Sequence, residues 1–504
     1  MYPYPNVVNF LVNGFSSGFS LGFKGILSQG ATKNLKSIIG REKGVEEAIL
    51  KELNRGHTVG PFDRPPVPFF HVSPLGGEPK PDGSTRLVLD CSSPRGTSVN
   101  DFISKTEYSV KYSKFDDAVD LVRANGRGSF MGKLDIKHAF RLCPVHPTDW
   151  RLLGYRFEGR YYMDIVLPFG LRSSPFIFNQ FADALAWILT VIYDLTGVIH
   201  YLDDFFNSSA TAEECSRAMD IIKAVFSDIG VPLAPNKIVG PSTCITYLGI
   251  EIDSINNVCR LPNDKLSKLK NLLKVWKNKK KCTKKELLSL IGSLSFACKV
   301  VKPGRIFLRR LIDLSTKVKS LHHHVHMSSE ARLDIGWWVQ FIDEWNGIAI
   351  IQSDIIEAEK ISFFTDASFS GLGGFFAGEW FSVGIPEGFP KVNIAFLELL
   401  AVIAAILVWG PKLVNKQVAI RTDNSAIIDI WTKGSTKDSN IMKLVRKLFH
   451  LTVRFNINII FKHVSGKANT YADPLSRLQV KKFLSMCPSA KNGQVTVPRD
   501  IWEI

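Results

Sequence analysis

Two adjacent carboxylates, Asp203 and Asp204, lie between apolar β-prone runs in Val198-Ile199-His200-Tyr201-Leu202-Asp203-Asp204-Phe205-Phe206. Such a segment reads as strand, tight turn, strand. Successive side chains on a straight strand face opposite sides, so neighbouring aspartates reach the same way only at a turn. This stretch is therefore constrained to a hairpin with acid at its tip. Its two readings are a pair of divalent-metal ligands and a solvated Asp-Asp turn.

At 504 residues the chain exceeds one hydrophobic core, and about three to five domains are expected. A hydrophobic share of 45% with 22% charged residues excludes wholesale disorder. The net charge of +16 and pI near 9.4 call for a polyanionic partner, most simply nucleic acid. The cysteines at 91, 143, 215, 244, 259, 282, 298 and 487 form no Cys-x-x-Cys pair, so neither a disulfide framework nor a zinc site is expected. A dedicated metal role for His322-His323-His324-Val325-His326 lacks supporting ligand spacing. The first basic residue is Lys24, unlike a secretory signal, and an intracellular setting, cytoplasmic or nuclear, is expected. The apolar run 394–409 is short for a membrane span and contains Glu398, so it reads as a buried helix and no membrane partner is expected.

Along the chain, residues 1–58 form an N-terminal extension with a helix-like segment at 45–54. Residues 59–250 alternate short strands, such as Thr85-Arg86-Leu87-Val88-Leu89, with a strong helix after Ser174-Pro175, which reads as an N-cap followed by proline. Residues 251–325 are helical and basic, with Lys274, Lys277, Lys279, Lys280, Lys281, Lys284 and Lys285 around Trp276, then Arg305, Arg309 and Arg310. They read as a grip on a phosphate backbone, or else as a solvated helix face. Residues 326–360 are a transition, 361–478 an α/β domain, and 479–504 a basic, weakly patterned tail.

A third aspartate, Asp135, ends a short strand in Gly132-Lys133-Leu134-Asp135-Ile136. Two-metal phosphoryl transfer needs carboxylates bridging ions about 3.5–4 Å apart. Asp135, Asp203 and Asp204 can supply them, with the backbone carbonyl of Ile136 as a further ligand. Between them, Leu167-Pro168-Phe169-Gly170-Leu171-Arg172-Ser173-Ser174-Pro175 is a tight loop entering a helix, a setting suited to an incoming base or phosphate.

The ordered set Arg86, Asp135, Leu167-Pro168-Phe169-Gly170, Tyr201-Leu202-Asp203-Asp204, Lys237 and Tyr247-Leu248-Gly249 resembles a retroelement reverse transcriptase over roughly residues 58–320. Ser73-Pro74-Leu75-Gly76, Pro144-Val145 and Leu171-Arg172-Ser173-Ser174-Pro175 are similar to DIRS-like (tyrosine-recombinase) retrotransposons, relatives of the gypsy-type elements. The resemblance implies an α+β, right-hand polymerase with fingers, palm and helical thumb. It implies Mg²⁺ or Mn²⁺, two per active site, on Asp135, Asp203 and Asp204. Lys80, Arg86 and Gly170 would serve the incoming dNTP, Phe140 would reject a 2′-hydroxyl, and Phe169, where retroviral enzymes carry glutamine, would pack on the nucleotide. Lys237 would be a general acid for pyrophosphate. Tyr201, Tyr247, Leu248, Gly249, Lys280 and Arg305 would hold primer and template.

In the C-terminal part, Asp366 ends a strand before the glycine-rich hairpin Gly371-Leu372-Gly373-Gly374. Glu398 lies in the apolar helix, Asp423 follows another strand, and Asp473 follows His463-Val464-Ser465-Gly466-Lys467. A glutamate among aliphatic residues costs several kcal/mol without a partner. A metal site shared with Asp366, Asp423 and Asp473 would relieve that cost, as would an arginine. This Asp-Glu-Asp-Asp order resembles the ribonuclease H fused behind retroelement reverse transcriptases, over roughly residues 361–478. His463 resembles its mobile histidine, and the implied reaction is two-metal hydrolysis of RNA in an RNA–DNA hybrid.

The expected protein is thus an RNA- and DNA-directed DNA polymerase with a fused ribonuclease H. Its expected partners are an RNA template, a DNA primer, their hybrid and dNTPs. Competing readings are a catalytically silent nucleic-acid binder and a remnant with only the nuclease active.

Overall fold

The computed structural model describes residues 2–26, 32–80, 82–344, 348–350, 355–357, 363–414, 416–422, 424–434, 436, 438–455, 457–463 and 471–502. They fall into two compact units, Met1–Tyr247 and Leu248–Ile504.

The first unit opens with α1 (Pro5–Ser17), α2 (Glu42–Asn54) and β1 (Thr58–Phe62). The hairpin β2 (Leu75–Pro79) and β3 (Thr85–Leu89) follows, then α3 (Phe115–Ala124). Next come β4 (Phe130–Asp135), β5 (Gly154–Phe157), β6 (Arg160–Asp164) and α4 (Ser174–Trp187). The remainder is β7 (Val198–Tyr201), β8 (Asp204–Ser209), α5 (Ala212–Asp228), β9 (Val239–Ser242) and β10 (Cys244–Tyr247).

Its central sheet runs β7-β8-β4-β9 and is antiparallel. Strand β8 is buried on both faces from Phe205 to Ser208, because helices cover the sheet. Helix α5 starts on a Thr211–Glu214 capping box, which satisfies its free N–H groups. It then buries Cys215, Ala218, Met219, Ile222, Val225 and Phe226, the three- and four-residue spacing of one helical face. Phe226 meets Phe205 edge-on at 5.0 Å. A second sheet, β1-β6-β5, flanks this core.

At the start of α4 the N-cap is Ser173, with Ser174 already helical. The expected Ser174 cap is corrected by one residue because the Ser174 hydroxyl donates instead to the Pro168 carbonyl at 2.8 Å. Below the sheet, the buried Arg141 guanidinium bridges Glu52 of α2 at 3.1 Å and Asp164 of β6 at 2.7 Å. Burial alone would raise the Glu52 carboxyl, but the His57 hydrogen bond and the Arg141 charge bring it down to about 2. A buried charge tolerates burial only when paired in this way.

The second unit begins with β11 (Ile250–Asp253), β12 (Val258–Arg260), α6 (Asn263–Trp276), β13 (Lys281–Thr283), α7 (Lys284–Ala297) and α8 (Arg309–Thr316). Then come β14 (His324–His326), α9 (Ser329–Glu344), β15 (Ile348–Ile350) and β16 (Ile355–Glu357). The α/β part holds β17 (Phe363–Ala367), β18 (Gly371–Phe376), β19 (Glu379–Gly384), α10 (Ile394–Trp409), β20 (Gln417–Thr422) and α11 (Ser425–Lys433). It ends with α12 (Ser439–Arg454), β21 (Asn458–His463), α13 (Ala472–Ser476) and α14 (Val480–Met486).

Residues 326–360, expected as a transition, contain α9, whose Asp334 is 1% exposed. Asp334 pairs with Arg446 of α12 at 2.8 Å, and Trp337 stacks on Phe307 at 3.7 Å. This segment therefore shares a core with both the basic helices and the α/β part. Burial pushes the Asp334 carboxyl up to about 6 against the pull of Arg446 and Arg310.

In the α/β part, β17-β18-β19 is an antiparallel meander and β16-β20-β21 is parallel. The glycine-rich stretch expected as a hairpin is strand β18 itself. A side chain on Gly373 would collide with the Ser476 amide and the Ala472 carbonyl of α13. Glycine in a strand marks such a close backbone approach. Two stretches, Ser174–Ile192 and Ile394–Lys412, are long and apolar enough to cross a membrane. The second is mostly buried within this unit, including Leu400, Ile403 and Ala404 of α10. Its all-round apolarity follows from packing on strands β17 and β18 and on α12. The tail, unpatterned in sequence, is ordered: Phe483 packs on Phe375 and Trp380, and the Val495 amide donates to the Trp380 carbonyl.

Candidate active sites

The acidic hairpin forms as expected. Tyr201 pairs with Asp204 across the β7–β8 ladder, leaving Leu202 and Asp203 as the turn. Leu202 takes a φ of 53°, a left-handed conformation that costs a residue with a side chain about 1–2 kcal/mol. The β4–β8 register sets Asp135 directly opposite Asp204, and the Ile136 amide donates to the Asp203 carbonyl at 3.0 Å. Strand pairing therefore assembles three carboxylates from two places in the chain.

Mutual repulsion registers in the acidity of Asp203 and Asp204. Burial raises the Asp203 carboxyl, and the Asp135 charge adds to it. Burial and Asp203 together push Asp204 up to about 6. Asp135 is 5% exposed, and each of its oxygens accepts from the Lys237 ammonium at 2.8 Å. Lys237 bonds Asp135 directly, and the Arg86 and Lys133 charges pull on Asp203 and Asp204, yet burial and mutual repulsion still hold those two carboxyls up. Among the described residues, no three His, Cys, Asp or Glu side chains are grouped closely enough to hold one metal ion as they stand. The donor chemistry nevertheless suits a hard divalent cation: carboxylate oxygens, crowded and partly buried.

Beside the acids lies an aromatic shelf. The Arg86 guanidinium sits over the Phe169 ring at 5.0 Å, and Phe169 packs on Phe140 at 5.1 Å. Arg86 is also close enough to Asp203 to lower its carboxyl pKa. The loop is tied to β3, with the Leu89 amide donating to the Phe169 carbonyl at 2.9 Å. At Gly170, with φ of 102°, any side chain would collide with the Leu89 carbonyl, so glycine is required there. Lys80 stands half-buried at the end of the β2–β3 hairpin, its amide on the Ser84 carbonyl at 2.8 Å. Tyr201 packs on Tyr112 at 4.9 Å. Tyr247 is buried against Phe206, where burial raises its phenol. In the second unit, Leu248 and Gly249 turn the chain with φ of 46° and 78°, and the Lys265 ammonium donates to the Gly249 carbonyl at 2.9 Å. Lys280 and Arg305 are exposed.

In the α/β part, Asp366 is the penultimate residue of β17 and Asp473 the second residue of α13. The Ser476 hydroxyl lies 2.6 Å from Asp366 Oδ2 and 2.9 Å from the Asp473 carbonyl. Arg477 Nε donates to Asp473 Oδ1 at 2.8 Å, and its charge also feels Asp366. Glu398, half-buried on α10, accepts from the Thr422 hydroxyl at 3.2 Å. Asp423 lies outside the described residues. His463 is exposed at the end of β21.

Sequence reasoning overlooked Ser476, Arg477 and Thr422. The first two were accessible, since a helix opening at Asp473 places residues three and four later beside it. Thr422 required knowing that β20 ends beside α10. Also missed were Asn100, which donates to the Gly170 carbonyl and receives the Arg172 amide, and the pair His200–Asp183.

Taken together, the fold and both sites define a right-hand polymerase followed by a ribonuclease H-like α/β domain. Residues 78–252 match the family described as reverse transcriptase (RNA-dependent DNA polymerase). Residues 390–479 match the family described as reverse transcriptase-like. The Tf2-3 transposon polyprotein of Schizosaccharomyces pombe is 22% identical over 469 residues, covering 86% of this chain and 31% of the relative. A putative enzymatic polyprotein of Cassava vein mosaic virus is 24% identical over 423 residues, covering 78% and 58%. The chain thus carries reverse transcriptase and reverse transcriptase-like domains and is homologous to retrotransposon polyproteins, spanning about a third of the length of the Tf2 relatives. The fold is similar to the foamy viral protease–reverse transcriptase solved with double-stranded DNA, with a TM-score of 0.52 and 16% identity over 87% of this chain and 72% of that one. The same viral protein solved with an RNA/DNA hybrid gives 0.51 and 16% identity, covering 89% of this chain and 57% of that one.

Proposed function

We propose that the chain is an RNA- and DNA-directed DNA polymerase with a fused ribonuclease H, acting in retrotransposon replication. The observation that carries this is the register placing Asp135 opposite Asp204, with Asp203 at the turn, beside the Arg86–Phe169–Phe140 shelf. Asp135, Asp203, Asp204 and the Ile136 carbonyl would hold two Mg²⁺ or Mn²⁺ ions. Bound there, the ions would lower the pKa of a primer 3′-hydroxyl and neutralise charge on the departing pyrophosphate. Arg86 and Lys80 would bind the triphosphate of a dNTP, with Gly170 giving it room. Phe140 would meet the sugar and Phe169 the base. Lys237 would leave Asp135 and carry a proton toward pyrophosphate.

Tyr201, Tyr247, Leu248 and Gly249 would hold the primer end. Lys280 and Arg305, in a thumb at residues 251–325, would grip the backbone of the template–primer duplex. In the second site Asp366, Glu398, Asp423 and Asp473 would take divalent ions for hydrolysis of RNA in the hybrid, with His463 assisting release. The hybrid- and DNA-bound foamy viral structures support these partners. The wording at residues 73–76 and 171–175 supports a DIRS-like origin within an intracellular replication cycle.

The deciding experiment extends a labelled DNA primer on an RNA template with Mg²⁺ and dNTPs, with Asp203→Asn in parallel. Extension by the parent and none by the variant is expected. A folded, hybrid-binding parent that never extends would overturn the polymerase reading in favour of a nuclease-only or silent binder.

A further inference from the structure

Directly beneath the carboxylate hairpin lies a histidine that the proposed chemistry leaves unused. His200 is 7% exposed, and its ring stacks on that of Phe205, its partner across the ladder, at 5.2 Å and 20°. Nδ1 lies 3.2 Å from the Leu202 carbonyl and Nε2 lies 2.9 Å from Asp183 Oδ1. A carbonyl can only accept, so the ring is placed to donate from Nδ1 to Leu202 while Nε2 faces Asp183. The other Asp183 oxygen accepts from Asn179 at 2.8 Å. Both residues belong to α4, whose first residue Ser174 hangs from the Pro168 carbonyl beside Phe169. A continuous chain of bonds and helix therefore runs from the Phe169 loop to the apex of the acidic turn.

That apex is where the backbone is strained, at Leu202 with φ of 53°. A strained conformation persists only where its surroundings over-determine it. The Ile136 amide fixes the Asp203 carbonyl, the Leu202 side chain packs on the core, and His200 fixes the Leu202 carbonyl. We propose that His200, braced by Asp183, is a positioning residue that locks the Leu202–Asp203 turn and so aims Asp203 and Asp204 at a divalent cation. The inference rests on reading those aspartates as metal ligands.

The test is Mn²⁺ binding to the full chain without nucleic acid, followed by electron paramagnetic resonance of the free ion. Asp204→Asn identifies the component belonging to this site. His200→Phe keeps the ring packing and loses both ring nitrogens. It should weaken that component about tenfold, the size of effect seen when a partner supporting a metal site is removed, with little change in thermal midpoint. His200→Asn drops the ring but keeps a donor near the Leu202 carbonyl, and should bind Mn²⁺ better than His200→Phe while melting lower. A purely structural histidine would give the opposite order of binding. Should His200→Phe fail to fold, Asp183→Asn on the half-exposed side of α4 carries the test, with weaker binding expected and parental binding refuting the role. If Asp204→Asn removes the component but His200→Phe binds like the parent, the positioning role alone is overturned. If Asp204→Asn changes nothing, the metal-site reading falls and this inference with it.

Discussion

The two acidic sites are built on opposite electrostatic plans. In the first unit, Asp135, Asp203 and Asp204 are brought together by strand register, and although Lys237, Lys133 and Arg86 act on them, burial and mutual charge still raise Asp203 and Asp204. In the second, each described acid has a short-range donor of its own: Ser476 for Asp366, Thr422 for Glu398 and Arg477 for Asp473. The first stores repulsion that a cation would relieve. The second spreads its acids over β17, α10 and α13, each beside a donor of its own.

If the sites are independent, breaking one should leave the other intact. Asp203→Asn should lower primer extension on the order of 10⁴-fold, as removal of one member of a catalytic group does, while hybrid cleavage is kept. Asp423→Asn should do the reverse. Parallel assays on one preparation of each variant check this. Loss of both activities from either change in a folded protein would break the comparison.

A smaller effect sharpens the role of the aromatic shelf. Phe140 is half-buried between Phe169 and Phe178, and Arg141 beside it is clamped by Glu52 and Asp164. A side chain held that firmly can act by bulk. Phe140→Ala should erode discrimination against ribonucleotides about 10- to 100-fold, the range one steric contact can supply. Competition between dNTP and rNTP during extension measures it, and unchanged sugar selectivity would remove Phe140 from the site.

Much of this was readable in the chain, for identifiable reasons. Asp135, the 85–89 strand and the acidic turn were legible because strand periodicity and turn chemistry are local. The capping residue of α4 was misplaced by one because Ser173 and Ser174 are chemically alike, and only the Pro168 carbonyl distinguishes them. The glycines of β18 looked like a turn because turn composition and close backbone approach favour the same residue. Only the position of α13 separates the two causes. The order in residues 479–502 was invisible because that segment packs on β18 and β19, not on itself. Ser476 and Thr422 were missed because hydroxyls carry no pattern of their own.

The subtlest consequence of the contrast is a stability effect of opposite sign to the catalytic one. Asp204 has its carboxyl pushed up to about 6 by burial and by Asp203, above the ordinary aspartate value near 4. Between about pH 4 and 6 the folded state holds a proton that the unfolded chain has released. Stability therefore falls as pH rises through that window, and the full penalty applies above it. Asp204→Asn removes the penalty, so without divalent cations it should raise the first unit's thermal midpoint at pH 7.5 by roughly 5–10 °C, the shift for about two pKa units in a unit of this size. At pH 4, where the parent carboxyl is already largely protonated, the two proteins should melt together. Asp334 is also pushed up to about 6, so the parent-minus-variant difference, not the parent's own profile, reports Asp204 and the acids it repels. Added Mg²⁺ should stabilise the parent at pH 7.5, lose that effect as the acids protonate below pH 6, and do less for the variant. Asp473→Asn should give no such gain, since Asp473 is paired with Arg477 and 42% exposed. A variant at Asp204 that melts no higher than the parent at pH 7.5 would show that the first site is not under electrostatic load, and the contrast between the two plans would fail.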